Sequence, residues 1–247
     1  MQPLTLTIPL TAAHRRRLRE VWRSAGWPHH DSIEIELLAA GLIERQRDDA
    51  GRETLRVSDA GVQLLAATLQ KNRAAFDAHE ALVARVVLAM QRAGRVTWRG
   101  LRLRAPPVAA DGPRTWPIAM PDVFSIRHTT LDDHVEPIVH EVKVRRADLL
   151  SDLRHEAKRL AYLGLSSQCW YVLKAGIGDA DDVPAACGVM VAHEGGFEVQ
   201  RPAPRRAMRL PLATWMMLAR ANAETAPDDD GQAWLGDERA DPGQCGS

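Results

Sequence analysis

Lysine is scarce in this 247-residue chain. Lys71, Lys143, Lys158 and Lys174 are the only four, and the other 28 of the 32 basic residues are arginine. Surface charge here defaults to arginine, so a lysine inside an apolar segment calls for a reason other than solubility. Lysine is a compact point charge on a flexible stem, which arginine is not. Cysteine is also rare: Cys169, Cys187 and Cys245 are odd in number and show no C-x-x-C spacing. That argues against a zinc site and against a disulfide framework, and points to a reducing cytoplasm. No apolar run is long enough to cross a bilayer. The opening Met-Gln-Pro-Leu-Thr-Leu-Thr lacks the basic-then-apolar pattern of a signal peptide. A cytoplasmic protein with no membrane partner is expected. There is no Gly-rich phosphate loop followed by Lys-Ser/Thr, and Ser125 has no G-x-S-x-G context. The nine histidines do not cluster at ligand spacing: His29 and His30 are adjacent and diverge, and His140 reads as a packed core residue.

What is present is a set of three residues. Pro121-Asp122 opens an apolar-alternating segment carrying Val123, Phe124 and Ile126. A second such segment, from Pro137 to His140, leads into Glu141-Val142-Lys143. Residues two apart on a strand share a face, so Glu141 and Lys143 point the same way. With the first strand alongside, Asp122 reaches that face. Two carboxylates suit a hard cation such as Mg²⁺, and an ammonium beside it suits a phosphate. The spacing alone equally suits a salt-bridged strand pair, because E-x-K is short and frequent.

The net charge is zero, but unevenly distributed. The segment from Glu224 to Ser247 holds seven acids and one arginine, and removing it leaves 31 basic against 25 acidic residues. The remainder is compatible with a polyanionic partner. With its run of three aspartates, Pro and Gly, the tail (224–247) is expected to be disordered.

Ahead of the three residues, 11–25 and 31–40 read as helices, the first capped by Thr11 and the second stopped by Gly41. Residues 42–46 and 53–57 flank an Asp-Asp-Ala-Gly turn, a hairpin signal. Ser58 caps a further helix. From Ala75 to Gln91 an apolar stripe (Leu82, Val83, Val86, Val87, Met90) predicts another helix. Residues 95–104 read as a strand, 105–120 as a Pro- and Gly-rich loop, and 147–163 as one amphipathic helix. Residues 168–173 form a buried strand, 188–199 a hairpin, and 210–223 a closing helix. Trp22 is counted among the apolar positions of the first helix. The seven tryptophans are expected in core or interface positions.

Two stretches resemble known families. Leu-Ile-Glu-Arg, then Leu-Arg-Val-Ser-Asp-Ala-Gly, within the helix, hairpin, helix order of about residues 10–70, resembles the wing and last helix of bacterial winged-helix domains. Such domains bind DNA or mediate protein contacts. The order helix, strand, strand, strand, helix, strand from Ala75, with Asp122 on the middle strand and Glu141-x-Lys143 on the next, resembles the PD-(D/E)xK, or restriction-endonuclease-like, nuclease superfamily. Glu141 to Leu153, then Lys158, Tyr162 and Trp170-Tyr171, is similar to the MmcB-type DNA-repair proteins of that superfamily.

The expected fold is thus α/β (α+β): a mixed central sheet flanked by helices (73–223), preceded by a winged helix (1–72). The resemblance implies a Mg²⁺- or Mn²⁺-dependent deoxyribonuclease acting in DNA repair or processing. In it Asp122 and Glu141 ligate the ion, with the Val142 carbonyl as a third ligand and Glu80 as an acid that some members add. Lys143 positions the attacking water. Lys158, Tyr162, Arg145 and Arg146 are candidate DNA contacts. Glu80 has an alternative as an ordinary solvated helix residue. Asp148 more simply serves the start of its helix through the macrodipole. Many exonuclease-type members carry Gln where Lys158 stands. The alternative function is an inactive nuclease-fold accessory that binds DNA. Symmetric cutting of a duplex would call for a homodimer.

Overall fold

The computed structural model describes residues 9–105 and 117–225. The acidic tail beyond Thr225 and most of the Pro- and Gly-rich segment 105–120 lie outside the described residues. The chain divides into two compact units, Met1–Ala78 and His79–Ser247.

The first unit begins with α1 (Ala12–Arg23) and α2 (Ser32–Ala39). Thr11 caps α1: its Oγ1 accepts from the His14 amide, and its own amide donates to His14 Nδ1 at 3.1 Å. Asp31 Oδ1 accepts from the Glu34 amide at 2.9 Å and caps α2. Each cap satisfies helix donors that otherwise lack partners. Strands β1 (Ile43–Arg47) and β2 (Glu53–Val57) form an antiparallel hairpin. Leu18, Val21, Leu37, Leu42, Ile43, Leu55 and Val57 make the core. Helix α3 (Asp59–Arg92) comes next. Gly61 is required near its start, because a Cβ there would lie 2.3 Å from the Leu42 carbonyl oxygen. Trp22 and Trp27 are 58% and 64% exposed, so neither joins this core. Trp22 adjoins the buried Val21, and its own direction around the helix points outward.

The helix expected after Ser58 and the one expected over 75–91 are a single helix. Lys71-Asn72-Arg73-Ala74 contains no Gly or Pro to stop it, and the division between the units falls within α3.

The second unit is a six-stranded mixed sheet flanked by helices, in the order β10-β9-β8-β7-β6-β3. Its strands are β3 (Arg95–Arg99), β6 (Val123–Arg127), β7 (Ile138–Lys143), β8 (Gln168–Lys174), β9 (Gly188–His193) and β10 (Gly196–Arg201). β7, β8 and β9 run parallel, and the other pairings are antiparallel. The expected strand over 95–104 breaks at Gly100, whose φ of 53° few other residues adopt cheaply. Beyond it β4 (Leu103–Arg104) pairs with β5 (Ile118–Ala119). On one face of the sheet Leu82, Val83, Val86 and Val87 of α3 pack on Val123, Val142, Val172 and Ala192. On the other, Leu149, Ala161, Tyr162, Leu165 and Leu218 pack on Phe124, Val139 and Tyr171.

The amphipathic helix expected over 147–163 is two helices, α4 (Arg146–Leu153) and α5 (Glu156–Leu165), broken at Arg154-His155. The break brings two charged side chains together. Asp152 and Lys158 are six residues apart, and on a straight helix they would face about 120° away from each other. Here they meet. Helix α6 (Leu212–Arg220) closes the unit.

Candidate functional site

β6 and β7 pair from Ser125↔Ile138 to Val123↔His140 and then part. Asp122 stands at that fork, one residue before β6. Its Oδ2 accepts from the Val142 amide at 2.7 Å. The carboxylate thus takes the place of the missing strand partner. β7 continues beside β8, with Glu141 opposite Tyr171 and Lys143 opposite Leu173. Strand alternation sends Val139, Glu141 and Lys143 to the α4–α5 face, and Ile138, His140 and Val142 to the α3 face. Glu141 and Lys143 therefore share that face, and the Asp122 carboxylate acts on Glu141 from the fork through its charge.

Glu141 is only 2% exposed. Its Oε1 accepts from Lys143 Nζ and, at 2.6 Å, from Lys158 Nζ. Its Oε2 is buried without a hydrogen-bond partner. Burial raises the Glu141 pKa, and the Asp122 charge raises it further; Lys143 and Lys158 oppose both.

Lys158 Nζ also donates to Asp152 Oδ1 at 2.5 Å, while Lys143 Nζ lies 3.5 Å from the same oxygen. Asp152 Oδ2 accepts from the Tyr171 hydroxyl at 2.8 Å. Burial works to raise the Asp152 pKa, but the Lys158 hydrogen bond and the two ammonium charges outweigh it and hold the group below its ordinary value. For Lys158, burial works to lower the pKa, and the charges of Glu141 and Asp152 and its hydrogen bonds to them outweigh it and raise it.

Two further residues close the cleft. Tyr162 donates its hydroxyl to the Met120 carbonyl at 2.8 Å, and Lys158 Nζ lies 5.3 Å from the centre of its ring. His79 Nε2 lies 3.4 Å from Asp122 Oδ2, and its Nδ1 lies 3.2 Å from Glu80. The hydrogen bond with Asp122 raises the His79 pKa, with burial opposing it.

The other expected residues have different surroundings. Glu80 pairs with His79 and is linked to Asp122 through that ring. Arg146 turns away from the cleft: its guanidinium binds Asp182 and donates to the Ile177 carbonyl at 3.2 Å. Arg145 stands at the N-cap position of α4. His140 is buried in the core as expected, with both ring nitrogens unpartnered, and burial together with the Arg95 charge lowers its pKa to about 3.

Sequence reasoning missed the roles of Asp152, Tyr171 and His79. Tyr171 was findable: alternation along β8 puts it on the same face as Glu141 once the two strands are taken as parallel. Asp152 was not, because its place depends on the break at 154–155.

Among the described residues, no group of three or more His, Cys, Asp or Glu side chains is arranged to hold a metal, and no helix is long and apolar enough to cross a membrane. No protein-family model and no curated protein matches the chain. Among solved structures, a protein of unknown function from Silicibacter pomeroyi is similar at 24% identity and a TM-score of 0.38, over 56% of this chain and 79% of that one.

Proposed function

We propose that the second unit is a restriction-endonuclease-like, metal-dependent deoxyribonuclease that hydrolyses phosphodiester bonds in DNA repair or processing. One observation carries this reading: two carboxylates and two ammonium groups meet at the fork of β6 and β7, and one buried oxygen among them, Glu141 Oε2, lacks a partner.

The donor set fits Mg²⁺ or Mn²⁺. Mg²⁺ keeps several waters and commonly binds through one or two carboxylates plus substrate phosphate, so it needs no three-residue cage. Asp122 and Glu141 would hold it. In a strand the N–H and C=O of one residue point to the same side, so the Val142 carbonyl is directed toward Asp122 as its amide is and would be a third ligand. When bound, such an ion supplies Lewis acidity and a more acidic water.

The chain's own residues do the rest. Asp122 is fixed by the Val142 amide, and Glu141 by Lys143, so neither carboxylate must reorganise as charge develops. Lys143 holds its charge where the attacking water and the phosphate meet. Tyr171 anchors Asp152, which holds Lys158 near the same point. Water adds to phosphorus and gives up a proton, the P–O ester bond breaks, and the leaving alkoxide takes up a proton in its place.

The first unit is read as a winged helix that docks the nuclease. Its charges favour a protein contact over DNA. α2 carries Glu36, and three hairpin arginines are matched by acids: Arg45 with Glu34 and Glu53, Arg47 with Glu53, and Arg52 with Asp48.

The test is a panel of labelled single-stranded, duplex and branched DNA incubated with Mg²⁺ or Mn²⁺, beside Asp122→Ala. Metal-dependent cleavage lost in the variant supports the reading. DNA binding with no cleavage under any condition favours the inactive accessory instead.

A further inference from the structure

Three carboxylates, Asp122, Glu141 and Asp152, share the cleft with two ammonium groups, Lys143 and Lys158, and His79 lies against Asp122. Both ammonium groups converge on a single oxygen, Glu141 Oε1, while the other oxygen of that carboxylate has no partner. The two lysines are not equivalent. The Lys143 side chain is 12% exposed, that of Lys158 is 36% exposed, and Lys158 is shared between two carboxylates at 2.6 and 2.5 Å. Lys158 can release Glu141 and remain tied to Asp152, which Tyr171 holds from its other oxygen. Its four-carbon stem gives the head group that freedom.

We propose that Lys158 is a resident counter-ion that neutralises the Glu141 carboxylate in the resting site, yields that carboxylate to a divalent cation, and turns to the phosphodiester while keeping Asp152. The inference rests on the nuclease reading above and adds a coupling to it. A dication adds two positive charges to the cleft, and a singly charged phosphodiester takes one of them back. Cation and phosphodiester therefore favour each other's binding, and Lys158 is the group through which they do so. By linkage the coupling is the same in both directions.

Calorimetric titration of Mn²⁺ into the full chain tests this, with and without dimethyl phosphate as an uncleavable, singly charged phosphodiester. For the native chain, dimethyl phosphate is expected to tighten Mn²⁺ binding about fivefold, at the low end of common coupling strengths. Lys158→Met, lacking the competing ammonium, is expected to bind Mn²⁺ about tenfold more tightly than the native chain in the absence of dimethyl phosphate. Its further gain from dimethyl phosphate is expected to fall below about twofold. Lys158→Arg keeps the charge and should bind Mn²⁺ as the native chain does. Lys158→Gln, which can still hydrogen-bond Asp152, carries the comparison if the Met variant does not fold.

Native binding of Mn²⁺ with no gain in the Met or Gln variant overturns the proposal and leaves the nuclease reading standing. An equal gain in Lys158→Arg also overturns it, because the effect would not be one of charge. No Mn²⁺ binding by the native chain or by any of the variants overturns both.

Discussion

Asp152→Asn removes one charge from the cleft while keeping the shape of the side chain. In the native protein this carboxylate accepts from Lys158 at 2.5 Å and from Tyr171 at 2.8 Å, with Lys143 at 3.5 Å. Its side chain is largely buried, whereas Lys158 is about a third exposed. Hydrogen bonds to charged groups contribute about 1.5–3 kcal/mol each. The asparagine carbonyl still accepts from Lys158, and solvent screens that partly exposed pair. What is lost is the charge assistance, and two ammonium groups are left facing the single carboxylate of Glu141. The expected loss is about 2 kcal/mol. It should lower the melting temperature of the second unit by about 4–8 °C at pH 7, read by calorimetry.

The pH dependence has a definite sign. The folded-state pKa of Asp152 is depressed, so its contribution is fully present above the unfolded value, about 3.9. It disappears as pH falls through the lower folded value. The stability difference between native and variant should therefore be flat from pH 7 to about pH 4 and close below that. A variant within about 0.5 kcal/mol of native at pH 7, the range of ordinary surface changes, would show that this network does not hold the cleft together. A deficit undiminished well below pH 3 would show that it is not electrostatic.

Other perturbations separate fold from chemistry. Asp122→Asn keeps an oxygen for the Val142 amide, so folding should survive while Mg²⁺-dependent cleavage drops by about 100-fold or more; full activity in this variant would refute the proposed site. His140 is buried neutral with a folded pKa of about 3, below its unfolded value of about 6.5, so it withdraws stability as pH falls from 6.5 toward 3, by up to about 1.4 kcal/mol per pH unit. His140→Leu should flatten that part of the profile, measured by urea midpoints, and an unchanged slope would count against it. Gly61→Ala would place a Cβ 2.3 Å from the Leu42 carbonyl oxygen and 2.6 Å from Val57 Cγ1. Overpacking of this kind costs about 1–3 kcal/mol, and thermal unfolding as stable as native would contradict the close approach drawn there.

The parts of this protein legible in its sequence are those set by local pattern. The strand period of 138–143 places Glu141 and Lys143 on one face, and the scarcity of lysine elsewhere singles that face out. The cap at Thr11 marked a helix start because the donor it satisfies is only three residues away. What stayed hidden depends on contacts distant in sequence. No Gly or Pro marks the break at Arg154-His155, yet that break brings Asp152 to Lys158. His79 reaches Asp122 across the space between α3 and the sheet, a contact no spacing encodes. Trp22 sits beside a buried valine on α1 and faces outward. A hydrophobic periodicity locates a stripe on a helix but does not fix its width, and Trp22 lies beyond the edge of this one.

The fork between β6 and β7 leaves the Val142 amide outside the backbone ladder, with a carboxylate as its acceptor. Hydrogen exchange at that one amide is consequently governed by a side chain. Any event that draws Asp122 away, whether a cation or a substitution, registers there first, while the amides of β8 behind it stay protected by the sheet. The protein carries within its main chain a single-atom gauge of the state of its own cleft, readable by amide spectroscopy without any substrate being known.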